Sequence, residues 1–193
     1  VSKNESYFSG EKYNLKAKKL GYRSRAAFKL IDINKKENIL RKNLNIIDLG
    51  SAPGGWSQVV SKELNGTGSI IAIDILDMPK IKDVKFIKSD LREFDQNKLN
   101  QPIDVVISDI APNISGVRFI DDTNMIDLLE IELSIVDKTL VKGGNFLAKC
   151  FEGRSSEFLS KEINKRFKIM KRLKPDSSRK ISKEIYLLGL NKN

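Results

Sequence analysis

The chain has 193 residues, 40% of them hydrophobic and 31% charged, enough for one packed domain and too apolar for a disordered polymer. It contains no histidine and one cysteine, which excludes histidine triads, His/Cys zinc cages and internal disulfides and leaves Lys, Asp, Glu or Tyr as any general base. The net charge of +10 is segregated: residues 1–42 carry 12 basic against 4 acidic side chains, 43–152 carry 11 against 17, 153–183 carry 11 against 3, and the last ten cancel. Two basic flanks around an acidic centre point to nucleic acid at the flanks and a cationic or hydroxyl-rich ligand at the centre. No apolar run reaches the length of a membrane span, so no membrane partner is expected.

In chain order, the first block interleaves Lys12, Lys16, Lys18, Lys19, Arg23 and Arg25 with Tyr7, Phe8, Tyr13 and Tyr22. Such cations meet phosphates, and such rings stack the bases of a single-stranded or looped RNA. Ser24 is placed as the N-cap of an amphipathic helix over 24–37, with Ala27, Leu30, Ile31 and Asn34 at helical spacing. A short apolar strand over 44–49 runs into a glycine-rich turn, and WSQVVSKEL follows as a helix. Further β-branched strands are expected over 69–75, 84–90 and 103–110, and a long helix over roughly 124–141. The intervening 113–123 reads as a mobile loop. Gly143-Gly144 opens the strand NFLAKCF, in which Cys150 reads as a small core residue. A helix over 155–166, a strand over 167–173, a turn at Pro175 and a last strand over 184–190 complete the chain. Residues 161–183 form a second basic block that includes Lys161, Arg166, Lys168, Lys171, Arg172, Lys174, Arg179 and Lys183.

Strands alternating with helices predict a doubly wound, mostly parallel α/β sheet, whose ligands bind beyond the carboxyl ends of the strands. Asp48, Gly50, Asp74, Asp90, Asp109 and Lys149 fall at or near those ends. The first loop, Gly50-Ser51-Ala52-Pro53-Gly54-Gly55-Trp56, lacks the Lys-Ser/Thr of a phosphate-binding P-loop and the spacing of a dinucleotide fingerprint. Gly50, Gly54 and Gly55 still let a ligand lie against backbone, which suits an adenosyl group without phosphates. Asp74 ends the second strand, where a carboxylate accepts two ribose hydroxyls.

The segments DLGSAPGGWSQ, SDIAPNISG, GGNFLAKCFEG and KPDSSRKISKEIYLLG, in this order and at these separations, resemble the FtsJ-type family of RNA ribose 2′-O-methyltransferases over about residues 20–190. The resemblance implies a Rossmann-like methyltransferase fold, with a seven-stranded, mostly parallel sheet, an antiparallel last strand and helices on both faces. It implies S-adenosylmethionine as methyl donor, S-adenosylhomocysteine as product and no metal. The family's Lys-Asp-Lys-Glu catalytic set falls on Lys29, Asp109, Lys149 and Glu184, and its cofactor pattern on Gly54, Trp56, Asp74, Asp90 and Asp109.

A free lysine is protonated at neutral pH, with a pKa near ~10.4. Lys149 therefore acts either as a neutral base, with Lys29 and apolar neighbours opposing its charge, or as an ammonium that stabilises the developing alkoxide. APNISG and KPDSSR resemble the ribosomal branch of the family, which implies a uridine ribose in large-subunit ribosomal RNA, free or in the assembled subunit. A methyltransferase of the transfer RNA anticodon loop, a catalytically silent RNA-binding assembly factor and a small-molecule methyltransferase are the competing readings. One monomeric methyltransferase domain is expected over 1–193, with a basic arm and helix over 1–42 and the Rossmann-like core over 43–193. No secretion signal is read. A bacterial chain is expected in the cytoplasm, and a eukaryotic one in mitochondria or another organelle, with the nucleolus a weaker expectation.

Overall fold

The structure is a computed structural model that describes residues 3–99, 101–179 and 181–193, without the side chains of residues 3–10 and 98. Its centre is a seven-stranded sheet in the order β3-β2-β1-β4-β5-β7-β6. β1 (Asn45–Leu49), β2 (Ser69–Asp74), β3 (Lys85–Lys88), β4 (Ile103–Ser108) and β5 (Leu140–Phe151) are mutually parallel. The crossover from β5 through α5 (Arg154–Arg166) skips one position before β6 (Phe167–Leu173). β7 (Glu184–Lys192) then turns back into that gap, antiparallel to both neighbours. The strand order reverses between β1 and β4, which places the ligand crevice of an open α/β sheet beyond their carboxyl ends.

Both faces of the sheet are covered, so its central strands are apolar runs rather than alternating ones. Ile47, Val106, Phe146, Ala148 and Cys150 bury against Met125, Leu129 and Val136 of α4 (Arg118–Thr139) and Leu159 of α5. Ile46, Val105, Ile107 and Leu147 bury against Leu30 and Ile33 of α2 (Ala26–Glu37) and Val59 of α3 (Gly55–Leu64). Each fully buried Leu or Ile contributes about 1.5–3 kcal/mol, so truncating Leu30 would loosen the helix that carries Lys29.

Several expected boundaries move. Ser24 does not cap α2: the helix starts at Ala26 without a side-chain cap, and a Cβ on Gly55 would meet the Ser24 hydroxyl at 2.3 Å. That hydroxyl is committed to the contact between α2 and α3. The expected loop over 113–123 is half helix, because α4 begins at Arg118. The Asp121 carboxylate accepts the N–H groups of Ser115 at 2.7 Å and Gly116 at 3.2 Å and so closes the entrance to that helix. β5 begins at Leu140, with Gly143 and Gly144 inside it at an irregularity in the β4 pairing. A Cβ on Gly144 would lie 2.9 Å from the Asp104 carbonyl. α1 (Lys3–Lys19) is helical although its sequence shows no apolar stripe, and Ala17 is buried in it.

Candidate active site

Beyond β1, β2 and β4 lies a cleft of about 500 Å³ lined by Gly50, Ala52, Asp74, Asp90, Asp109 and Ile110, among others. The turn is built for close approach: Gly50 has φ +68°, and a Cβ there would collide with the Ile110 side chain. Asp74 accepts the N–H groups of Ala52 and Leu76, each at 2.8 Å. A carboxylate has about four lone-pair positions, so two remain for ligand hydroxyls. Asp90 accepts the Arg92 N–H at 2.9 Å. Ile75 and Leu76, both exposed, add apolar edges to the cleft.

Four other expected cofactor residues do not line this cleft. Pro53 presents its carbonyl to Arg23 at 3.2 Å. Gly54 backs onto Ile81, Arg23 and Met78, and Gly55 onto Ser24. Trp56 is buried, donates from Nε1 to the Ala26 carbonyl at 2.9 Å and packs on Tyr186. These residues tie the loop to Arg23, Ser24 and Ala26 at the entrance to α2 and shape the turn from behind.

The four expected catalytic residues come together. Lys149 of β5 is 7% exposed. Its Nζ donates to the Asp109 carbonyl at 2.5 Å and lies 3.2 Å from Asp109 Oδ1. Tyr186, opposite Lys149 in the β5–β7 register, lies with its hydroxyl 2.6 Å from Asp109 Oδ1 and 3.0 Å from Glu184 Oε1. Lys29 of α2 donates to the same Glu184 oxygen. The five side chains thus form one chain of contacts, and Asp109 is its junction with the cleft. Burial works against the Glu184 charge, but Lys29, Lys149 and the Tyr186 hydroxyl outweigh it and hold the carboxyl below the usual carboxylate range. Burial, reinforced by Asp109 and Glu184, raises the Tyr186 phenol well above its ordinary value, so it stays a donor.

Comparison with known proteins decides between the chemistries this arrangement permits. The family model for FtsJ-like methyltransferases matches residues 22–192. The chain is 43% identical over 183 residues to the ribosomal RNA large subunit methyltransferase E of Pseudomonas fluorescens, covering 92% of this chain and 88% of the relative. It is 43% identical over 182 residues to the protein of the same name from Nitrosospira multiformis, covering 91% and 88%. A solved chain from Plasmodium falciparum, provisionally named a ribosomal RNA methyltransferase, superposes with TM-score 0.79 at 29% identity and covers 89% of this chain and 98% of its own. Aeropyrum pernix fibrillarin with bound S-adenosyl-L-methionine shares the fold, at TM-score 0.62 and 17% identity, covering 88% and 75%. The chain belongs to the FtsJ-like methyltransferase family. Its methyl donor is S-adenosylmethionine. The glycine turn and the two unused acceptor positions of Asp74 fit that ligand.

Within this family member, Tyr186 is the site residue that sequence reasoning missed. Its signal was available, since residues two apart on a strand share a face and Glu184 was already assigned. Two carboxyls lie buried beneath the site, of which the sequence placed Asp48 at a strand end and did not single out Glu132. Asp48, beneath the glycine turn, accepts the Ser57 hydroxyl at 2.6 Å, and burial pushes it up to about 7. Glu132 of α4 accepts the Ser108 hydroxyl at 2.7 Å, and burial pushes it up to about 8. No local pattern announces Glu132.

The basic flanks behave differently from the expectation of rings free to stack bases. The side chains of Tyr7 and Phe8 lie outside the described residues. Tyr13 and Tyr22 pack on Phe28, with centroids 5.5 and 5.8 Å away, because α1 needs an anchor on α2. Arg23 turns inward and donates to the carbonyls of Pro53, Pro79 and Lys80, stapling the glycine turn. The two blocks do meet. Lys171 pairs with Glu37 at 2.6 Å and Lys36 with Asp176 at 3.6 Å, and the Ser177 N–H donates to Asp32 at 3.0 Å.

Proposed function

We propose that this chain transfers the methyl group of S-adenosylmethionine to the 2′-hydroxyl of a ribose, that of a uridine, in large-subunit ribosomal RNA, acting as a monomer in the compartment that holds the large subunit. The observation that carries this reading is the junction at Asp109, which lines the cofactor cleft and also holds Lys149. The names of the bacterial relatives supply the RNA class, and the meeting of the two basic blocks supplies a surface for it. Among the described residues no helix is long and apolar enough to cross a membrane.

When bound, S-adenosylmethionine supplies an electrophilic methyl carbon on a positively charged sulfur. Transfer forms one O–C bond as one C–S bond breaks, so alignment of the hydroxyl is the main task of the protein. Asp74 would accept the ribose hydroxyls of the bound cofactor, and Ile75 and Leu76 would give it apolar surface. Lys149 engages two acceptors on Asp109 and keeps a third position for the substrate oxygen. That position holds a proton in the charged form and a lone pair in the neutral form. The neutral amine takes the hydroxyl proton directly, whereas the ammonium stabilises the oxyanion while the proton passes to solvent. Lys29 and Glu184 hold Tyr186, and Tyr186 holds Asp109, so that Lys149 is aimed by groups on three elements.

The test is transfer of radiolabelled methyl from S-adenosylmethionine to large ribosomal subunits, naked ribosomal RNA and transfer RNA, with Lys149→Ala in parallel. Label is expected on the large subunit or its RNA and is expected to vanish in the variant. Label on transfer RNA alone would replace the substrate class, and cofactor binding without label on any RNA would leave an assembly factor.

A further inference from the structure

The buried face of α4 carries a carboxyl where helical packing calls for an apolar side chain. Met125, Leu129, Glu132 and Val136 recur at helical spacing on that face, and Glu132 is fully buried. A buried carboxyl is unfavourable even when neutral, and its Oε2 has no hydrogen-bond partner among the described residues. Native structures rarely retain such a group without a reason, and the contacts between Lys29, Glu184, Tyr186 and Asp109 make no use of it.

The other carboxyl oxygen ends a chain of hydrogen bonds that begins at Lys149. Lys149 Nζ donates to the Asp109 carbonyl at 2.5 Å. The N–H of that same peptide group, on Ile110, donates to the Ser108 hydroxyl at 3.4 Å. The Ser108 hydroxyl, itself fully buried, donates to Glu132 Oε1 at 2.7 Å. All three bonds run in one direction, from Lys149 to Glu132, so each polarises the next. Drawing the Ile110 N–H toward Ser108 shifts amide electron density onto the carbonyl and makes it a stronger acceptor for Lys149. Tyr186, opposite Lys149 in register, packs with the α2 and α3 side of the sheet, whereas Glu132 reaches the same peptide from α4 on the other side. Ile110 also lines the cofactor cleft, together with Leu128 and Ile131 of α4.

Burial keeps the Glu132 carboxyl protonated up to about 8, against the Ser108 hydrogen bond and the charge of Lys149 and with Asp109 adding to the effect of burial. Cys150 of β5 also acts on it, as a neutral thiol that burial pushes up to about 12. Such coupling is reciprocal: because the charge of Lys149 favours the ionised carboxylate, the ionised carboxylate favours charge on Lys149.

We propose that Glu132 is a positioning residue for methyl transfer, which acts through Ser108 and the Asp109–Ile110 peptide to fix the amine of Lys149 and to set how firmly that amine holds its charge. The inference rests on the reading of Lys149 given above and deepens it. A neutral Glu132 leaves the Asp109 carbonyl an ordinary acceptor, and an ionised one strengthens it.

The test follows methyl transfer to large-subunit RNA across pH, at saturating cofactor and RNA, in Glu132→Gln, Glu132→Leu and Ser108→Ala. Cofactor affinity by calorimetry, KM for RNA and the thermal midpoint are measured alongside. Glutamine keeps an oxygen for Ser108 but does not ionise. Its kcat is expected within about twofold of wild type near neutral pH, and the change in wild-type kcat centred at about 8 is expected to be absent. Leucine and alanine break the chain, so each is expected to lower kcat about 3- to 10-fold with KM and cofactor affinity unchanged. The double variant Glu132→Leu/Ser108→Ala is expected to fall no further than the single ones, because both remove the same connection. Should Glu132→Leu fail to fold, Glu132→Gln and Ser108→Ala decide the matter. Superposable pH profiles of kcat in wild type and Glu132→Gln would overturn the proposal, as would losses that add in the double variant or that appear in KM instead of kcat. Each of these leaves the RNA reading standing, whereas a wild-type chain that labels no RNA would remove that reading and the role of Glu132 together.

Discussion

The two halves of the carboxyl edge are assembled in different ways. In the cofactor half, Gly50, Asp74, Asp90 and Asp109 each sit at or just past the end of a strand, and Asp74 and Asp90 each accept an N–H group two residues on, those of Leu76 and Arg92. In the catalytic half, Lys29 meets a partner 155 residues away and Lys149 one 40 residues away, and every contact depends on α2 and β7 docking correctly. A site built from strand ends tolerates errors in packing elsewhere, whereas one built across elements does not. Damage to the first half should therefore appear in cofactor affinity, and damage to the second in turnover.

The largest expected effect breaks the catalytic half alone. Lys149→Ala should lower kcat by at least ~10³-fold with cofactor affinity unchanged by calorimetry. If Lys149→Arg retains near-full activity, the neutral-base role is lost and the charged role stands, because arginine does not give up its proton usefully.

Next in size is a change beneath the site. Glu132 stays neutral in the fold up to about 8, whereas an unfolded glutamate ionises near ~4.3. Between those values the unfolded chain releases a proton that the folded chain keeps. Stability should therefore fall as pH rises through this window and level off above it, with Asp48 contributing a similar decline up to about 7. Glu132→Gln should remove its share, a few kcal/mol at most, read as a flatter dependence of the thermal midpoint on pH between 5 and 8.

Asp74→Ala should weaken cofactor binding by about 10- to 100-fold and leave kcat at saturating cofactor near wild type. A large fall in kcat instead would mean that the two halves are not separable. The smallest effect sharpens the junction. Tyr186→Phe removes the hydroxyl between Asp109 and Glu184 and should lower kcat by roughly 3- to 10-fold, with cofactor affinity unchanged.

Much of the fold was legible because it rests on local pattern. β-branched runs ending in aspartate marked β2, β3 and β4, an apolar run entering the glycine-rich turn marked β1, and the helical spacing of Leu30 with its neighbours marked α2. The boundaries that moved did so through contacts that periodicity does not show: Asp121 reaching back six residues to Ser115, and Gly143 and Gly144 absorbed into β5 opposite Asp104. In the site, Lys29, Asp109, Lys149 and Glu184 were identified through resemblance to a family, and the structure brings them into contact. Gly54 and Trp56 were expected at the cofactor through the same resemblance, and Pro53 and Gly55 as members of the same turn, whereas the cleft is lined by Gly50 and Ala52 and not by these four.

By itself the sequence determined the alternation of strands and helices, the aspartates at the strand ends, the segregation of charge and the residue types available for chemistry, since each depends on composition or short-range periodicity. Only the tertiary structure decided that Tyr186 joins the catalytic residues, that Arg23 and the N-terminal tyrosines serve packing, and that Ser108 links the Asp109–Ile110 peptide to Glu132. Those outcomes depend on how α2 docks against β7 and α4 against β4, and long-range docking is governed by the burial of whole faces rather than by any spacing along the chain.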